Sequence, residues 1–210
     1  MKLYWGKHTC AIGIHILLEE IGAPYELAEI DVKGGENMRA PFNELNPKEK
    51  VPVLIRDDGS KLTEYATIAA WLASEHKSAN LLPFEDLEAQ TRMYEAMDFL
   101  IGTIHAGAFS RIFFPERFAP DAKEDAGIAD KVKAQGREMA TKGFAILGER
   151  FGAGPYVVGE QFTIADTAFF YAERWCAETG VTLPANLADH LARMKARPSV
   201  AKVMAAWGEA

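Results

Sequence analysis

No stretch of this 210-residue chain stays apolar for the roughly 18 to 20 residues that a bilayer-spanning helix needs. The N-terminus also lacks a basic region followed by an apolar stretch and a small-residue cleavage site, so the expected address is the cytoplasm. Basic clusters are equally scarce: no run of Lys and Arg exceeds two residues, and the formal net charge is −7. Counterion release, which drives nucleic-acid binding, has nothing to act through, so nucleic acid is not an expected partner. Cysteine is sparse, with only Cys10 and Cys176, which allow one disulfide at most and which a reducing compartment would keep as thiols. No group of Cys, His, Asp or Glu has metal-ligand spacing, and neither a Gly-rich phosphate loop nor a Gly-x-Ser-x-Gly elbow is present. Repeats of fixed period and low-complexity tracts are lacking too. The composition, 49% hydrophobic and 25% charged, supports a folded chain throughout.

The first 76 residues alternate strand and helix signals. Lys2 to Trp5 reads as a strand, and Ile14, Leu17, Leu18 and Ile21 follow the i, i+3, i+4, i+7 spacing of an amphipathic helix closed by Gly22 and Pro24. Tyr25 to Val32 reads as a second strand, with Ala28, Ile30 and Val32 on one face, giving a parallel βαβ unit. After a weak helical stretch carrying Met38, Phe42 and Leu45, Val51 to Ile55 reads as a strand. The turn Asp57-Asp58-Gly59-Ser60 leads to another near Lys61-Leu62, and a helix carries Tyr65, Ile68, Ala69 and Leu72 on one face. The order βαβ then ββα is that of a thioredoxin-like domain over 1–76. Residues 77–85 form a polar linker expected to be exposed. Beyond it strand signals almost disappear, and helices are expected near 86–112, 121–151, 164–179, 185–196 and 199–207, with Pro115, Pro120, Gly152, Gly154, Pro155, Pro184 and Pro198 at the breaks. The expected fold is α/β plus all-α: a thioredoxin-like domain followed by a helical bundle over 86–210.

Cys10 follows the first strand and opens the first helix, beside backbone N–H groups with no intrahelical partner and the positive end of the helix dipole, a place that favours the thiolate. Position 13 is Gly13, so no internal dithiol forms, and a reactive Cys10 needs an external thiol. The alternative is a small buried hydrophobe, which is the reading for Cys176 among Trp175 and Ala177. Val51-Pro52 starts a strand. A cis bond there would turn the Val51 backbone groups outward for an extended peptide to pair with, whereas a trans proline would mark an ordinary edge. Glu64 lies at a helix start with Thr63 and Tyr65, where it either binds an ammonium beside a carboxylate-holding N-terminus or simply caps the helix. Thr163 and Asp166 spell a capping box, and Asp98 and His105, seven residues apart, share a face of an α-helix.

These segments together are similar to the glutathione transferase family over nearly the whole chain. The matching residues are Lys2-Leu3-Tyr4, Cys10 with His15, Asn46-Pro47-Lys48, Val51-Pro52-Val53-Leu54, Asp57-Asp58-Gly59, Leu62-Thr63-Glu64, Ile68, Phe162-Thr163-Ile164-Ala165-Asp166 and Ala196-Arg197-Pro198. Cys10 and His105 resemble the bacterial beta class. The resemblance implies a homodimer that uses glutathione as co-substrate, bound across the cleft between the domains. It implies that Val51, next to cis-Pro52, pairs with the cysteinyl part of glutathione, that Glu64 and the backbone of Tyr65 hold the γ-glutamyl end, and that Asp98 of a second chain reaches the ammonium. Lys33 would meet the glycyl carboxylate, and Cys10 and His105 the sulfur.

Two positions depart from the family pattern. Glu49 stands where Asn-Pro-Lys is usually followed by glycine, which is expected to reshape that turn. Tyr65 stands where a small residue usually follows the acid, which is expected to remove one ligand hydrogen bond, about 1.5 to 3 kcal/mol if charged. The implied activity is conjugation of the glutathione thiolate to a small hydrophobic electrophile, thiol–disulfide exchange through Cys10, or both. The departures support a rival: a non-catalytic binding protein on the same scaffold.

Overall fold

The computed structural model describes residues 1–150 and 154–209; the expected helix end at 151 and the break at Gly152 lie outside the described residues. The chain divides into two compact units, one of Met1–Leu82 with the C-terminal segment from Lys195, the other of Pro83–Met194.

In the first unit, β1 (Lys2–Trp5) leads into α1 (Ala11–Ile21), then β2 (Glu26–Glu29), a 3-10 turn at Glu36–Met38, α2 (Phe42–Leu45), β3 (Val53–Ile55), β4 (Lys61–Thr63) and α3 (Tyr65–Glu75). The sheet order is β2-β1-β3-β4, parallel between β1 and β2 and antiparallel elsewhere, with Leu3 opposite both Leu27 and Leu54. This is the thioredoxin-like βαβ-ββα arrangement. Strand β2 stops at Glu29, short of the expected Val32, because β1 ends at Trp5; Ile30 N–H donates to Trp5 O at 2.8 Å, and the pairing goes no further. At Gly6 a Cβ would meet Ile30 O at 2.9 Å, so that crossing needs glycine.

Helix α1 is buried at every residue from Ala11 to Leu18, not along one stripe. The cause lies at the far end of the sequence: α10 (Pro198–Trp207) packs on it within the same unit. The Trp207 ring centroid lies 4.3 Å from that of Trp5, and Trp207 Nε1 donates to His15 Nδ1 at 2.9 Å. Arg197 Nη2 donates to both Glu20 oxygens at 2.9 Å, and Lys202 Nζ to Glu19 at 2.7 Å. The terminal helix, which the sequence reading places in the helical domain, therefore packs within the same compact unit as α1. The linker is also less exposed than expected, since Leu81 and Leu82 are buried.

The second unit is helical. Helix α4 (Leu87–Phe99), capped by Asp86, runs on as a π-helical segment, Leu100–Phe109, and ends in α5 (Ser110–Phe113). Then follow α6 (Ala126–Arg150), α7 (Ile164–Glu173), α8 (Cys176–Thr179) and α9 (Ala185–Ala196). The expected helix over 164–179 is broken between Glu173 and Cys176. Beyond residue 90 the described residues form no strand, only two isolated bridges, Tyr156 with Gly159 and Val158 with Gln161. Helix α6 approaches the π-helical segment closely through Gly143, where a Cβ would meet Ile104 Cγ1 at 2.6 Å. Helix α7 is buried along its whole length; its capping box forms, with Thr163 N–H donating to Asp166 Oδ2 at 2.6 Å.

Candidate functional site

Cys10 is the N-cap of α1, with its side chain outside any capping bond. Its thiol donates to Val51 O, with Sγ at 3.9 Å, and Cys10 is 8% exposed. Val51-Pro52 is cis, as the family resemblance implies, and Val53 directly after it begins β3 opposite Tyr4. The nucleophile candidate and the backbone expected to pair with a thiol peptide are thus brought together by β3 and the start of α1.

Glu64 precedes α3 with φ 72° and ψ 126°, and its side chain makes no capping bond. It accepts instead from Lys48 Nζ at 2.6 Å, while the same ammonium donates to Thr63 Oγ1 at 2.9 Å. Lys48 is the residue that sequence reasoning passes over: it reads only as part of the turn Asn46-Pro47-Lys48, and nothing local says that it, and not the nearby Lys50, reaches Glu64. Tyr65, the first residue of α3, is buried, so its bulk is absorbed within the unit. Glu49 keeps the left-handed backbone, φ 57°, that a glycine would take most easily. The turn is held by backbone groups: Glu49 N–H donates to Asn46 O at 2.8 Å, and Asn37 Nδ2 donates to Glu49 O at 2.7 Å. Lys33 is exposed in the turn after β2, and no hydrogen bond or ion pair joins it to the other candidates among the described residues.

In the helical unit His105 lies half-buried in the π-helical segment, its Nδ1 3.1 Å from the Tyr171 hydroxyl and its ring edge-on to Trp175 at 5.1 Å. Asp98 is exposed near the end of α4. The seven-residue spacing sets Asp98 and His105 on one face of a helix with 3.6 residues per turn, whereas Leu100–Phe109 is π-helical, with i to i+5 bonds and less turn per residue. Cys176 is buried as expected; burial, then the nearby Glu173 charge, push its thiol well above the ordinary range.

His15, quoted with Cys10 in the resemblance, is buried one turn into α1. Burial, opposed by Glu19 and assisted by Lys202, lowers its pKa to about 4. The neutral ring fits its partners. Trp207 donates to Nδ1, which leaves the proton on Nε2, 2.8 Å from the Tyr25 oxygen, and the Tyr25 hydroxyl donates to Glu19.

Comparison with known proteins bears on the family and the fold. The profile described as glutathione S-transferase, N-terminal domain, matches residues 9–75, and that of the C-terminal domain matches residues 130–206. The chain is 29% identical over 212 residues to glutathione S-transferase GstA of Escherichia coli O157:H7, covering 99% of each. A Sulfitobacter glutathione transferase homologue solved with bound glutathione superposes with a TM-score of 0.89 at 28% identity, over 98% of this chain and 97% of that one. The beta class glutathione S-transferase of Sphingomonas chungbukensis gives 0.85 at 27% identity over all of both chains. With both domain profiles matched and the likeness running end to end, the chain belongs to the glutathione S-transferase family.

Proposed function

We propose that this glutathione transferase is of the beta class and acts on glutathione through Cys10 in a homodimer in the cytoplasm. The observation that carries the reading is the Cys10 thiol at the start of α1, 3.9 Å from the carbonyl of cis-bonded Val51. An extended thiol peptide pairing with the Val51 backbone would bring its own sulfur to Cys10. Glu64, steered by backbone and Lys48 rather than used as a cap, is the ammonium partner of the γ-glutamyl end, and the α3 N-terminus at Tyr65 receives the neighbouring carboxylate. His105 serves the sulfur, Asp98 of the second chain supplements Glu64, and Lys33 meets the glycyl carboxylate.

The chemistry has two forms on one site. In conjugation the protein binds and orients the glutathione thiolate, and the electrophile's carbon takes the new bond. In exchange the Cys10 thiolate attacks a mixed disulfide, forming the Cys10–glutathione disulfide and releasing the other thiol; a second glutathione then restores Cys10 and leaves as oxidised glutathione. Cys10→Ala is expected to abolish reduction of a glutathione mixed disulfide while retaining part of the conjugation rate. Unchanged disulfide reduction in that variant would remove Cys10 from the mechanism. Glu64→Gln is expected to weaken glutathione binding by roughly tenfold, the value of one charged hydrogen bond, read by calorimetric titration. Sedimentation at a single-chain mass at micromolar concentration would contradict the dimer.

A further inference from the structure

The turn that carries Cys10, residues 6–10 between β1 and α1, is fastened from the far end of the sequence but within the same compact unit. Helix α10 ends at Gly208, whose left-handed φ of 69° lets Glu209 N–H donate back to Met204 O at 3.0 Å. Glu209 leaves the helix direction there and sets its carboxylate, only 12% exposed, on the turn before Cys10. Its Oε1 accepts from His8 N–H at 3.3 Å, across 201 residues of chain, and lies 3.7 Å from His8 Nδ1. Local bonds complete the turn: Thr9 Oγ1 donates to Gly6 O at 2.7 Å and accepts from Ala11 N–H at 3.3 Å. Trp207, two residues before Glu209, packs against Trp5 at the end of β1 and donates to His15 in α1. The end of α10 thus holds the strand before the turn, the helix after it and the turn itself.

His8 has φ 59°, a left-handed conformation that a residue with a Cβ adopts only at a cost, and an acceptor on its N–H offsets that cost. Two residues later Cys10 stands at the start of α1 with Sγ 3.9 Å from Val51 O. The α1 N-terminus favours the thiolate, and Val51 O marks where a paired thiol peptide would run. A rotation of the turn at His8 moves Cys10 off both. We propose that Glu209 is a positioning residue for Cys10: as the acceptor for His8 N–H it holds the turn that presents the thiol, and so raises its reactivity. The inference rests on the reading above that Cys10 is the reacting thiol. The role belongs to the Glu209 oxygen as an acceptor and not to its charge, since a negative charge near a thiol opposes ionisation. Removing the acceptor therefore slows Cys10, whereas removing a charge alone would speed it.

The test uses the full chain and reads each cysteine by iodoacetamide labelling and mass spectrometry from pH 5 to pH 9. Glu209→Ala is expected to slow Cys10 about threefold at pH 6, because less of the thiol is ionised once it leaves the helix N-terminus. Glu209→Gln keeps an oxygen for His8 N–H and should stay near the wild-type rate. His8→Gly takes positive φ without strain, so adding Glu209→Ala to it should change the rate by less than about twofold. Cys176, in the other unit, is the internal control and should keep its slow rate in every variant. Equal Cys10 rates in Glu209→Ala and Glu209→Gln, whether faster, slower or unchanged, overturn the proposal. So does a loss that persists in full in the His8→Gly background, or a change that Cys176 shares, since that reports opening of the whole chain. Reduction of a glutathione mixed disulfide supplies a kinetic split. Glu209→Ala should lower kcat about threefold and leave KM for glutathione in place, because Val51 and Glu64 are untouched. A raised KM with unchanged kcat overturns the positioning role. If Cys10→Ala leaves disulfide reduction intact, the functional reading falls, and the labelling rates still decide this inference.

Discussion

Glu49 and Glu64 both hold positive φ, 57° and 72°, on the two segments that frame the candidate peptide-binding backbone. A left-handed conformation costs an L-residue with a Cβ about 1 to 2 kcal/mol, and glycine escapes that cost while losing more chain entropy on folding. At Glu49, where backbone bonds alone fix the turn, Glu49→Gly is expected to stabilise the protein by about 0.5 to 1 kcal/mol in urea unfolding; a loss of stability would mean that the side chain has a part in the turn. The cysteines give a second residue-level expectation. Cys176 sits in the helical core with its thiol pushed up, whereas Cys10 borders a helix start, so alkylation should divide into a fast phase from Cys10 and a slow one from Cys176. Mass spectrometry finding Cys176 labelled first would contradict it. The position of Cys10 at a helix start was legible because it is set locally, by a strand, a turn and a helix start within ten residues. The Lys48–Glu64 pair was not, since it joins residues 16 apart whose approach depends on β3 and β4 pairing.

Among the elements, those specified by neighbours in sequence were legible and those specified by distant packing were not. The helix expected at 185–196 forms over Ala185–Ala196, and the capping box at Thr163 and Asp166 forms as read. The placement of α10 depends on contacts such as His15 with Trp207, 192 residues apart, which no periodicity reveals. The π-helical turn was invisible too, because an apolar run of Leu, Ile, Gly and Ala suits either pitch. At the head of α7, Asp166 does more than cap. Its carboxylate accepts from the backbone N–H groups of Val157 and Thr163 and faces His190 Nε2 at 3.2 Å, with every side chain in that ion pair buried. Asp166→Ala leaves those donors and the buried imidazolium without their acceptor, so a loss of about 3 to 5 kcal/mol is expected, measured by denaturant midpoint. A loss under about 1 kcal/mol, the worth of an ordinary cap, would show that the buried pair contributes nothing.

For the whole molecule, two buried histidines titrate in opposite directions, one in each unit, and together bound the pH range of stability. His15 in the first unit has a folded pKa near 4 against an ordinary 6.5, so between these values the unfolded chain binds more protons. Its contribution is therefore complete above about pH 6.5 and is lost as pH falls towards 4, by an amount on the order of 3 kcal/mol. His190 in the second unit is the reverse case. Burial alone would lower its pKa, but the Glu173 carboxylate at 2.9 Å and Asp166 at 3.2 Å outweigh that and raise it to about 9. The folded chain then binds the extra proton, and the contribution is complete below about pH 6.5 and is lost as pH rises through 9. Stability should thus peak near pH 6 to 7 and fall on both sides. Urea midpoints from pH 4 to pH 10 give the curve, and two variants separate its limbs. His15→Gln, which keeps one donor and one acceptor, should flatten the acid limb and leave the alkaline limb in place. His190→Gln should do the opposite, at a lower stability throughout, because Glu173 and Asp166 stay buried without their cation. An acid limb that persists unchanged in His15→Gln would assign acid sensitivity to groups other than the Trp207–His15–Tyr25–Glu19 chain and would leave that chain a role in packing α10 alone.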